Sequence, residues 1–92
     1  MSAAIQDELT IALQVARIED QPALLASHLS EIEAEAETLL DLLATVRAHA
    51  RQDNVDGTQA ALAELVIALE HLLHHAQAAL PALQQGLDIQ PD

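Results

Sequence analysis

No phenylalanine, tyrosine, tryptophan or cysteine occurs among the 92 residues, and there is no lysine. Each absence removes a class of function. Without aromatics the chain lacks stacking platforms for bases and sugars, and also the side chains that most often anchor protein interfaces. Without cysteine there is no disulfide, no thiolate chemistry and no sulfur-ligated metal. The two glycines, Gly57 and Gly86, form no phosphate-cradling loop, and Ser2, Ser27 and Ser30 carry no nucleophile-elbow pattern. No run of apolar residues approaches the length of a membrane span, and Met1–Glu8 has neither the basic region nor the apolar stretch of a secretory leader. A cytoplasmic protein without a membrane segment is therefore expected.

Positive charge is scarce. Three arginines stand against fifteen acids, giving a formal net charge of −12. Such a field repels phosphate backbones and anionic membranes, which excludes nucleic acid as a natural partner and leaves a basic protein as a conceivable one. The charge also keeps a leucine-rich chain in solution. With 51% apolar residues, periodically placed, the chain reads as folded rather than disordered.

What is present is leucine and alanine at helical spacing. Pro22 and the cluster Asp53-Asn54-Val55-Asp56-Gly57-Thr58 punctuate the chain. They divide it into helical segments over roughly 3–20, 22–52 and 58–84, with Asp56 or Thr58 as the cap of the third and a frayed tail over 86–92. In the second segment Leu25, Leu29, Ile32, Ala36, Leu39, Leu43, Val46 and Ala50 step by four and three, the seam of a packed helix. The third repeats the pattern with Leu62, Leu65, Leu69, Leu72, Ala76, Ala79 and Leu83, and Pro81 should stop or kink its last turn. Ser30 and Glu33 have the spacing of a capping box, but Leu25 and Leu29 stay in phase with the later seam, which favours one long helix. The first segment carries a split stripe of Ile5, Leu9, Ala12 and Ala16 beside Ile11, Val15 and Ile18.

The expected fold is all-α: a single domain over 1–92, an antiparallel bundle of about three helices completed by homodimerisation. Apolar residues beyond the seams mark the subunit contact, namely Leu40, Leu42, Ile67 and Leu73. Among chemically capable residues, His71 and His75 share a helix face and could present two ligands to a metal. No His-Glu-x-x-His run accompanies them, and flank histidines more often face solvent or carboxylates. His74 as a phosphoryl carrier lacks a neighbouring cation. The acids Glu31, Glu33, Glu35 and Glu37 fan around a helix without forming a cleft. The composition thus points to a non-enzymatic interaction or assembly module with no cofactor. A small metal-binding protein using His71 and His75 is the alternative, and an enzyme formed only on oligomerisation comes third.

Overall fold

The computed structural model describes residues 2–89, the side chains of residues 2 and 3 excepted. It contains three helices and, among the described residues, no strand: α1 Ser2–Val15, α2 Pro22–Arg51 and α3 Val55–Gly86. α2 and α3 form a long antiparallel hairpin. α1 packs on the first turns of α2, and the molecule extends 51 Å along its longest axis.

The helix ends are set by local hydrogen bonding. α1 stops at Val15 rather than near residue 20, because Arg17 turns left-handed with φ 65°. The amides of Ile18 and Arg17 then donate back to the carbonyls of Leu13 and Gln14 at 2.9 and 3.0 Å. This is a Schellman closure, and its customary apolar contact joins Ile18 to Leu13, both buried. α2 closes the same way through Asp53, φ 52°, with Asn54 N–H donating to the His49 carbonyl at 3.0 Å. α3 closes through Asp88, φ 57°.

α3 begins at Val55, three residues earlier than the turn composition implied. Its cap is Asn54, whose side-chain oxygen accepts from the Gly57 amide at 3.0 Å, so neither Asp56 nor Thr58 holds that role. Pro81 does not end α3, which continues to Gly86. α2 runs unbroken from Pro22, and the Ser30 hydroxyl donates to the Ser27 carbonyl at 2.9 Å instead of capping a new helix. Of the tail expected to fray, Gly86 closes α3 and residues 87–89 form its turn, while 90–92 lie outside the described residues.

The buried core is small and sits at one end. Leu13 and Ile18 meet Leu25, Ala26 and Ala79 there, with Leu9, Leu29, Ile32, Ala82 and Leu83 packed around them. Ile18 lies directly over Gly86, where a Cβ would stand 3.0 Å from two of its side-chain carbons. Away from that end, among the described residues, only Ala61 and Ala68 are buried.

Candidate interaction face and histidine cluster

Burial along the hairpin fixes which side of each helix faces the other. Between residues 33 and 50 of α2, only Glu35, Leu39, Leu42, Val46 and His49 are shielded. Between 59 and 74 of α3, only Ala61, Leu65, Ala68 and Leu72 are. Both sets step by four and three, as a two-helix seam requires. Leu39, Val46, Leu65, Leu72 and Ala79 are therefore seam residues, as their spacing implied. The other half of each expected seam is displaced by one position: Leu42 and His49 replace Leu43 and Ala50, and Ala61 and Ala68 replace Leu62 and Leu69.

The displacement has a physical consequence. Alanine at 61 and 68 allows α3 to approach α2 closely, so the seam needs no leucine at those two positions. The leucines one position along are turned out. Leu43, Leu62 and Leu69 are 40%, 43% and 48% exposed, and Leu40, Val66, Leu73 and Leu80 are more so.

These residues share one side of the hairpin. Leu29 of α2 and Leu83 of α3 both pack against the core cluster, to which α1 contributes Leu13. Steps of seven carry Leu29 to Ala36, Leu43 and Ala50, and carry Leu83 back to Ala76, Leu69 and Leu62. The side that α1 covers at one end thus continues uncovered toward the 52–54 turn. A contiguous apolar strip of this kind is unusual on a soluble monomer.

The four residues expected at a subunit contact divide between two sides. Leu40 and Leu73 lie on or beside the uncovered strip. Leu42 is half-buried in the seam, and with Ile67 it lines an open groove on the opposite side, shared with Glu35, Thr38, Glu64 and His71. They do not form one patch.

The histidines also separate. His75 turns into the seam, where its Nδ1 shares a 3.0 Å hydrogen bond with Nδ1 of His28 from α2. One ring must donate and the other accept, so the pair holds a single proton between these two atoms. His74 stacks edge-on against His75, with ring centroids 5.1 Å apart. His71 stands one turn away and points to Glu35, its Nδ1 3.6 Å from the carboxylate and its side chain 63% exposed. Although His71 and His75 are four residues apart, each is thus directed to a different residue of α2. Among the described residues no three His, Asp or Glu side chains are arranged to hold a metal ion. His49 contacts the Asn54 side chain at 3.1 Å, at the far end of the hairpin.

Two seam placements escaped the spacing argument. His28 and Glu35 occupy seam positions, seven apart and in series with Leu42 and His49. The signal was a repeat of seven, masked because three of its four members are polar. Among the described residues no helix is long and apolar enough to cross a membrane. Comparison with protein-family models, with curated proteins and with solved structures finds no match.

Proposed function

We propose that the chain is a non-enzymatic assembly module whose working part is the uncovered apolar strip of the hairpin. The observation that carries this reading is the amount of surface left exposed. The chain has 6601 Å² of accessible surface. A compact protein of 9.8 kDa is expected to show about 5,200 Å². The difference, about 1,400 Å² by that scaling, exceeds the roughly 800 Å² that each partner contributes to a standard interface.

The exposed residues are also of the right kind. Leu43, Leu62, Val66 and Leu69 sit on rigid helices, so covering them orders little that is not already ordered. The strong negative charge prevents non-specific clustering through the strip while leaving room for a partner of matching shape and charge.

The test compares the native protein with a double variant, Leu43→Glu and Leu69→Glu, in extract of its own cell. The native form should elute well above the 9.8 kDa of one chain. The variant should elute at one chain's mass with its helical content unchanged, because both substituted side chains already face water. Equal elution of the two forms at the monomer position sinks the reading.

A further inference from the structure

A second stripe of α2 lies outside both the seam and the α1 contact. It runs Glu33, Glu37, Leu40, Ala44, Arg47, Arg51, again at steps of four and three, and all six residues are exposed. The first two are acidic, the middle two apolar, the last two basic. Two of the chain's three arginines stand here, and among the described residues neither makes an ion pair within the chain. Within one helix the arrangement is mildly unfavourable, because like charges stand four apart at 33 and 37 and again at 47 and 51.

Turned end over end against itself, the same stripe becomes complementary. Its positions pair about residue 42: 33 with 51, 37 with 47, and 40 with 44. The extent of α1 gives an independent reason for that centre. Ala26 and Ser30 are buried on the first three turns of α2, beside α1, leaving 33–51 free on that side. The midpoint of the free stretch falls at residue 42.

We infer that a second copy of this chain docks on the uncovered strip about a two-fold axis beside residues 42 and 43, its α2 antiparallel to the first. Leu40 of each copy faces Ala44 of the other at the centre, with Leu43 beside them, and Glu33 and Glu37 of each copy face Arg51 and Arg47 of the other. His28 stands level with His75 across the seam, so residue 42 stands level with about Ala61. Leu62 therefore lies within a turn of the same axis and Val66 within two turns, and the two α3 helices cover them. The product is a four-helix bundle of two stacked hairpins, flanked by two copies of α1. A parallel docking would set Glu33 against Glu33 and Arg51 against Arg51. A uniformly basic partner would face two arginines. Self-complementarity is what a closed two-fold contact demands, and this stripe has it.

The inference rests on the assembly reading and names its partner, and the experiment uses purified protein alone. Sedimentation at about 100 µM, well above a micromolar dissociation constant, should give a dimer. The Glu33→Arg/Glu37→Arg chain and the Arg47→Glu/Arg51→Glu chain should each dimerise about 30-fold more weakly, from the combined loss of four weak exposed pairs. An equimolar mixture of the two should recover the dimer, and added salt should narrow these differences.

Orientation is read from cysteines introduced into a chain that has none. Under oxidation Glu33→Cys alone should stay uncrosslinked, while mixing it with Arg51→Cys should give a covalent dimer. A native chain that stays monomeric overturns the inference yet leaves the assembly reading to its own test in extract. A dimer indifferent to all four charge changes, or one in which residue 33 crosslinks to itself, overturns the antiparallel register.

Discussion

Removing one buried side chain from the α1–α2 connection should cost more than removing any exposed leucine of the hairpin. Ile18 is 3% exposed, packs against Leu13 and Leu25, and lies over Gly86, so it links all three helices. Its truncation to alanine deletes three carbons from a cluster of only five buried residues, leaving a gap that helix backbones cannot readily close. Such changes cost about 2–5 kcal/mol, and about 3 is expected here because one flank of the site borders the chain turn. A protein of this length has a total stability of about 5–14 kcal/mol. The small core places it in the lower half of that range. A loss of about 3 kcal/mol should then lower the melting temperature by roughly 12–24 °C. The assay is thermal unfolding followed by far-ultraviolet circular dichroism, at one fixed protein concentration because association shifts the midpoint. The matched control is Val15→Ala, three residues earlier and 78% exposed, which should stay within about 0.5 kcal/mol of the native protein. A loss below about 1 kcal/mol for Ile18→Ala, or equal losses for the two, would refute the assignment of the core to this end.

Four further outcomes follow from particular contacts. Asn54→Ala removes the α3 cap and should cost about 1 kcal/mol in chemical denaturation, whereas Asp56→Ala should cost less, since its side chain does not cap and acts only through the charge it places in the first turn. Asp53→Gly should stabilise by about 1 kcal/mol: it relieves a left-handed φ of 52° and takes a negative charge from a helix C-terminus; no gain would contradict the Schellman closure. Ala68→Leu should destabilise by about 1–3 kcal/mol by forcing α2 and α3 apart at a position 4% exposed; an unchanged or raised midpoint would show that the seam is loose. Replacing His75 alone by leucine strands the His28 ring and should cost about 1 kcal/mol, while replacing His28 as well should recover most of it in a double-mutant cycle.

The architecture was legible because it depends on spacing alone. Steps of three and four over residues 25–50 and 62–83, separated by a turn-rich stretch, admit little except an antiparallel helical pair. The rotation of each helix about its axis was not legible to better than one residue. Leu39 and Val46 are shielded on the α3 side, but their partners at the intervening positions are Glu35, Leu42 and His49, not Ala36, Leu43 and Ala50. Hydrophobicity favours the second set, and helix geometry allows either. The contest is decided on α3, where Ala61 and Ala68 let the helices approach closely while Leu62 and Leu69 would hold them apart. Closeness is a property of the pair, and no single stripe reveals it. The histidines followed the same logic: His71 and His75 share a face in one dimension, and only the rotation of α2 decides that one meets Glu35 and the other His28. The end of α1 was missed for another reason, since the left-handed residue that stops it is an arginine rather than a glycine.

That rotation also bears on why leucines are exposed at all. A two-helix hairpin can bury one stripe per helix, and this chain has two stripes per helix: the seam and the strip that follows it by one residue. Had the leucines faced inward, the alanines would have been left outside and the monomer would have been the better buried form. Instead, at two turns of α3, Ala61 and Ala68 occupy the seam and Leu62 and Leu69 the strip, which lowers the area buried within one chain and raises the area available between chains. On apolar burial alone, at about 25 cal/mol per Å², exchanging alanine for leucine at a seam position favours the isolated chain, so the observed order is the costly one for a monomer. The cost is recovered only where the strip is covered. The core cluster that contains Leu13 and Ile18 does this for Leu29 and Leu83 at one end. The same geometry repeats seven, fourteen and twenty-one residues along, where no helix among the described residues covers it. A surface that requires at each heptad what α1 provides at the first is most directly completed by another pair of helices with the same repeat.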